Sequence, residues 1–100
     1  MRIIAKQTLV KFYKHYPDSE TPLMAWYNLA RKSTFSNINE VKQIFSKVSI
    51  LANNRLVFDI KGNDYRLVVA ARFENGIFYI CWVGTYAEYD KIEVNSIWIY

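Results

Sequence analysis

Hydrophobic positions follow two different rhythms along the chain. From Lys6 to Tyr16, Leu9, Phe12, Tyr13 and Tyr16 recur at i, i+3, i+4 and i+7, while Lys11, Lys14 and His15 fall largely on the other side. This spacing predicts an amphipathic helix. Pro17 ends it, because proline cannot donate its backbone hydrogen bond. Ser19 or Thr21 can cap a second helix with Pro22 in its first turn, and Leu23, Trp26, Tyr27 and Ala30 repeat the spacing to about Lys32. Between Ser36 and Phe45, Asn37 or Asn39 can cap a short third helix carrying Val41, Ile44 and Phe45. The two longer stripes read as core, since a short helix persists in water by burying such a face. His15 reads as a solvated helix residue. The Ile pair within Arg2 to Ala5 suits an edge strand that joins a sheet formed later in the chain.

The rhythm changes near Lys47. From Val48 onward, β-branched and aromatic residues alternate, punctuated by Asn53-Asn54, Gly62-Asn63 and Asn75-Gly76. Strands are predicted over 48–52, 55–61, 64–73 and 77–84. A two-residue loop at Gly62-Asn63 places Ile60 opposite Tyr65, Phe58 opposite Leu67 and Leu56 opposite Val69. A similar loop at Asn75-Gly76 places Phe73 opposite Phe78, Ala71 opposite Ile80 and Val69 opposite Trp82. Both registers give one wholly apolar face, which should carry the helical stripes. The expectation is an α+β layer, with two to three N-terminal helices on one face of a mostly antiparallel sheet of about four to five strands.

Composition narrows the picture. A chain of 100 residues, 52% hydrophobic and 17% aromatic, can bury one modest core, so residues 1–100 are expected to form a single domain. Thirteen Lys and Arg against 9 Asp and Glu give a net charge of +4 and a pI of about 9.2, which favours an anionic partner such as nucleic acid. Cys81, the only cysteine, rules out an intrachain disulfide and reads as a small buried hydrophobe. No secretory h-region and no membrane-length apolar stretch are present, so a cytoplasmic protein without membrane association is expected. One cysteine and one histidine cannot build a common zinc site, and Gly62 and Gly76 are turn glycines rather than a phosphate cradle. No metal or cofactor is implied.

The second face of the sheet carries the candidate chemistry. In the predicted register it shows Asp59, Arg66, Arg72 and Tyr79 around Val57, Val68, Ala70, Cys81 and Val83, with Arg66 opposite Thr85. Two readings of Arg66 compete. It can pair with Asp59 across the hairpin, which if exposed is worth about 0.2–1 kcal/mol. Alternatively its forked donors can clamp phosphate oxygens, with Tyr86, Glu88, Tyr89 and Asp90 supplied by the adjacent loop.

Ile60-Lys61-Gly62-Asn63, Tyr65-Arg66-Leu67, Gly84-Thr85 and Ala87-Glu88-Tyr89-Asp90-Lys91-Ile92 together resemble the HigB toxins of bacterial toxin–antitoxin systems, within the RelE-like group of small mRNA-cleaving enzymes. Arg2-Ile3-Ile4-Ala5, Pro22-Leu23, Ala25-Trp26-Tyr27, Asn54-Arg55 and Val57-Phe58 extend the resemblance over most of residues 1–93. It implies a RelE-like fold of helices on a curved antiparallel sheet, an intracellular toxin that cuts mRNA, often on the ribosome, and neutralisation by a HigA-type helix-turn-helix antitoxin. One position departs: where the family commonly reads Gly-Thr-His-Ala-Glu-Tyr-Asp, this chain has Tyr86 in place of the histidine. An ordinary tyrosine titrates near ~10 and holds its proton at neutrality, unlike imidazole. At position 86 a phenol could instead position a phosphate, stack on a base or give up a proton beside cations.

A metal-free RNA cut requires removal of the 2′-hydroxyl proton, stabilisation of charge on phosphate oxygens and protonation of the departing 5′-oxygen. Arg66 and Lys61 are expected to hold the scissile phosphate and Arg72 a neighbouring one, while Tyr86 or Tyr89 with Glu88 handles protons or stacking. Arg55 and Lys91 complete the expected RNA contacts. The competing functions are a basic face that binds RNA or a ribosomal surface without cutting it, and a plain module that docks an acidic protein. The apolar tail from Ile92 to Tyr100 is expected to pack on the sheet or on a partner.

Overall fold

The structure, a computed structural model, describes residues 1–92. An edge strand β1 (Arg2–Ile4) leads into α1 (Lys6–His15), α2 (Glu20–Lys32) and α3 (Ile38–Ile44). Strands β2 (Ser49–Leu51), β3 (Arg55–Ile60), β4 (Tyr65–Arg72) and β5 (Ile77–Thr85) follow, then one helical turn, α4 (Tyr86–Tyr89). The sheet order is β1-β5-β4-β3-β2, antiparallel except for β1, which runs parallel to β5. The α+β layer is therefore present. All of the predicted tail except Ile92 lies outside the described residues.

Local chemistry accounts for most boundaries. Asn37 caps α3, accepting from the Glu40 N–H at 3.0 Å. Ser19 does not cap α2: its hydroxyl donates back to the Tyr16 carbonyl at 2.7 Å, within a 3₁₀ turn at Pro17–Ser19 that runs straight into the helix. At the tip of β3 and β4, Lys61 and Gly62 both take left-handed backbone angles (φ 54° and 63°), which preserves the predicted pairing of Ile60 with Tyr65, Phe58 with Leu67 and Leu56 with Val69.

The next hairpin departs from expectation. Phe73–Asn75 forms a 3₁₀ turn closed by Gly76 at φ 67°, so the connection is longer than two residues. Ala71 consequently faces Phe78 and Val69 faces Ile80, a slip of two residues that leaves each side chain on its expected face. A bulge between Val68 and Val69 then makes Cys81 an extra residue in β5. Beyond it, Val68 faces Trp82, Leu67 faces Val83 and Arg66 faces Gly84 rather than Thr85. A shift of one residue reverses the faces. Trp82, expected on the helix side, joins Arg66, and Val83 packs against the core instead.

The core lies between the helical stripes and one face of the sheet. Leu9, Leu23, Trp26 and Ala30 meet Leu56, Phe58, Leu67, Val69, Phe78 and Ile80, all buried. Phe78 sits at its centre, with ring centroids of Trp26, Phe35 and Phe58 at 6.3, 5.9 and 6.4 Å.

A polar clasp ties the hairpin tip to the turn between α1 and α2. The Tyr65 hydroxyl donates to one oxygen of Asp18 and Lys61 Nζ donates to the other at 2.9 Å. The Tyr65 hydrogen bond, then Lys61, hold the Asp18 carboxyl below its ordinary range. The same bond to Asp18 and burial push the Tyr65 phenol up to about 12. The depressed Asp18 contributes stability above the unfolded value near ~4, lost as pH falls through the lowered folded value. The raised Tyr65 contributes below its unfolded value near ~10, and that contribution is lost as pH rises through about 12. Tyr65→Phe should therefore lower the unfolding midpoint at neutral pH, and the gap from wild type should close in acid and in strong base. A gap independent of pH across calorimetric scans would exclude the clasp as its origin.

Candidate active site

The ladder places Arg66 on the sheet face away from the helices, between Asp59 on β3 and Gly84 on β5. Its side chain is only 11% exposed, and Nη1 lies 3.2 Å from Asp59 Oδ1 and donates to the Tyr65 carbonyl at 3.4 Å. The pairing with Asp59 is thus present, yet it does not exclude the second arrangement. The Tyr86 ring stacks on the same guanidinium, its centroid 4.3 Å from the Arg66 carbon, in cation–π contact.

A capping box sets that stack. Thr85 Oγ1 accepts from the Glu88 N–H at 3.2 Å, and Glu88 Oε1 accepts from the Thr85 N–H at 2.9 Å and hydroxyl at 3.1 Å. The Tyr86 N–H donates to the Asp64 carbonyl at 3.1 Å, pinning α4 to the β3–β4 hairpin. Tyr89 stands beside Trp82, ring centroids 6.1 Å apart. Burial raises the Tyr89 phenol, and the Arg66 charge partly opposes that rise. Arg66, Tyr86 and Tyr89 therefore converge, joined by Asp59 and Trp82.

The other sequence-predicted residues are distributed more widely. Lys61 is held by Asp18 and Asp64, at 2.9 and 3.2 Å, within the clasp on the helix side of the hairpin. Arg72 sits at the opposite end of β4 from Arg66, roughly 20 Å away by strand rise, and donates to the Ala71 carbonyl at 3.3 Å. Arg55 faces Ala70 across the ladder, and the charges of Arg55 and Arg72 both reach Cys81. Burial nevertheless pushes the Cys81 thiol up to about 11, the opposite of an activated nucleophile. Lys91 is exposed just after α4. Glu88 spends one oxygen on its cap and also lines a shallow cleft with Lys11 and His15 of α1, so the sole histidine lies nearer α4 than its sequence position suggests. Among the described residues, no group of three or more His, Cys, Asp and Glu side chains is placed to hold a metal ion, and no helix is long and apolar enough to cross a membrane.

Trp82 is the site residue that sequence reasoning missed. Its indole fills the space above Gly84, where a Cβ would lie 2.4 Å from ring carbons Cη2 and Cζ2 and 3.0 Å from Glu88 Oε1. Gly84→Ala must therefore displace the indole or the cap. The expected result is a loss of about 1–3 kcal/mol in denaturant unfolding together with reduced RNA cleavage. Unchanged values for both would mean Trp82 repacks freely.

Comparison with known proteins agrees with this architecture. The HigB toxin family, described as the RelE-like toxic component of a toxin–antitoxin system, matches residues 19–92. The mRNA interferase HigB of Escherichia coli O6:H1 is 28% identical over an alignment of 94 residues covering 92% of this chain and 91% of that protein. The mRNA interferase toxin HigB of Escherichia coli K12 is 30% identical over 92 residues, covering 90% and 88%, and the mRNA interferase HigB of Shigella flexneri matches to the same extent. With its helices on one face of a mixed five-stranded sheet and a family match spanning most of its length, this chain belongs to the HigB family of RelE-like toxins.

Proposed function

We propose that this chain is an mRNA interferase, a metal-independent endoribonuclease that cuts mRNA during translation and arrests growth until a HigA-type helix-turn-helix antitoxin neutralises it in the cytoplasm. The observation that carries this reading is the convergence of one nearly buried guanidinium with two phenols, Tyr86 and Tyr89, on the sheet face away from the helices. In the reaction the substrate's 2′-hydroxyl gives its proton to a water molecule as its oxygen bonds to phosphorus and the P–O5′ bond breaks, leaving a 2′,3′-cyclic phosphate and a 5′-hydroxyl. Arg66 faces the charge that gathers on the non-bridging oxygens, and a phenol of Tyr86 or Tyr89 supplies the proton to the departing oxygen. Glu88 acts as a positioning residue through its cap, which orients Tyr86. Arg55, Arg72, Lys61 and Lys91 give the RNA backbone weaker, distributed contacts.

A second reading, binding without cutting, draws on one observation: Asp59 already neutralises part of the Arg66 charge. Mapping new mRNA 5′ ends after induction separates the two. Cuts within translated codons support the enzyme; growth arrest with intact mRNA supports the binder. Tyr86→His should raise the cleavage rate by restoring an imidazole that titrates near neutrality. An unchanged rate would show that position 86 is not the limiting proton donor.

A further inference from the structure

The mechanism above leaves unused a groove of about 500 Å³ between α2, the segment after α3 and the outer edge of β3. We infer that this groove receives an unstacked nucleobase of the RNA beside the scissile phosphate; the inference rests on the reading of the chain as an RNA-cleaving toxin and names how that substrate is held.

Three observations converge on a nucleobase. The groove has the size of a small-ligand site, and its walls include the aromatic side chains of Trp26, Phe45 and Phe58. Trp26, only 5% exposed, lines the groove with its indole N–H shielded from solvent, so its signal can report on what enters. Every nucleobase offers a flat π-face that stacks on aromatic walls. Lys47 at the rim is exposed and carries no ion pair among the described residues, so it is available to a flanking phosphate, whereas Lys61 is already held by Asp18 and Asp64.

The third observation is continuity. Pairing of β2 stops at Val57, and past it Asp59 lines the groove while its carboxylate meets Arg66 at 3.2 Å on the other face. The groove and the proposed cleavage site are therefore separated by the thickness of one strand edge. RNA lying over Arg66 can fold one base around that edge.

The test follows the indole N–H signals of the purified full chain labelled with nitrogen-15 at tryptophan. The Trp26 signal is identified by its loss in Trp26→Phe. Adding AMP, GMP, CMP or UMP at millimolar concentration should shift that signal for at least one nucleotide, and ribose 5-phosphate should not. Ala25→Leu, at an exposed α2 position lining the groove, should weaken the interaction roughly tenfold or more while leaving the unfolding midpoint in place. Arg66→Ala should reduce cutting on the order of 100-fold or more yet preserve the shift. A Trp26 signal unmoved by all four nucleotides, moved equally by ribose phosphate, or indifferent to Ala25→Leu overturns the inference, and a shift produced only by apolar peptides would assign the groove to a protein partner instead. Cutting without a shift leaves the enzymatic reading standing alone; a shift without cutting does the reverse.

Discussion

Arg66→Ala is expected to reduce RNA cleavage on the order of 100-fold or more and to relieve growth arrest, while the protein remains folded. The asymmetry follows from what each state loses. In the folded protein the substitution removes an ion pair with Asp59, whose side chain is 33% exposed and can be rehydrated, so the stability cost stays near that of a partly exposed pair. In the reaction it removes a preorganised donor, which water in an open site replaces poorly. Arg66→Lys should fall between the two, because an ammonium keeps the charge but loses the planar fork and much of the stack beneath Tyr86. Tyr86→Phe preserves that stack and deletes only the hydroxyl, so comparing it with Arg66→Lys separates charge placement from proton supply. Single-turnover cleavage of a defined RNA, alongside thermal unfolding, is the measurement. An Arg66→Ala protein that cuts at the wild-type rate would remove the guanidinium from the mechanism.

Phe78→Ala should be the most damaging core substitution, costing about 3–5 kcal/mol. Phe78 is fully buried, touches the rings of Trp26, Phe35 and Phe58, and lies on the strand that links β1 to the rest of the sheet. Removing its ring opens a cavity that three rigid aromatics cannot easily close. A domain of this size holds roughly 5–15 kcal/mol in total, so much of the protein would unfold at moderate denaturant. Phe78→Leu retains most of the volume and should cost less. Equilibrium urea unfolding would decide the matter, and a loss below ~1 kcal/mol would mean the aromatic cluster packs loosely.

The helices were legible because Leu9, Phe12, Tyr16 and Leu23, Trp26, Ala30 repeat at helical spacing, and the β3–β4 register because Gly62-Asn63 permits a tight reversal. The β4–β5 register was not. Phe73 reads as one more alternating strand residue, although it opens a 3₁₀ turn, and the extra residue at Cys81 leaves no compositional trace. Those two features slid the hairpin and turned Trp82 toward Arg66. The cap at α4 was available in the sequence, since Thr85 is followed three positions later by Glu88, a pattern that favours mutual capping. Glu88 reads as a chemical candidate from its place in the loop beside Arg66 and from the family resemblance, whereas in the structure its carboxylate accepts from the Thr85 N–H and hydroxyl. The groove at Trp26 could not be read from the sequence, because its walls come from α2, the turn after α3 and β3, brought together only by tertiary packing.

The parallel pairing of β1 with β5 has a consequence for biosynthesis. The first strand to leave the ribosome finds its neighbour only when residues 77–85 have emerged, so the sheet cannot be completed while that segment is still enclosed. Arg66, Gly84 and α4 meet only at the same late stage. Closure of the sheet and assembly of the Arg66–Tyr86 stack are therefore a single late event rather than two separate ones.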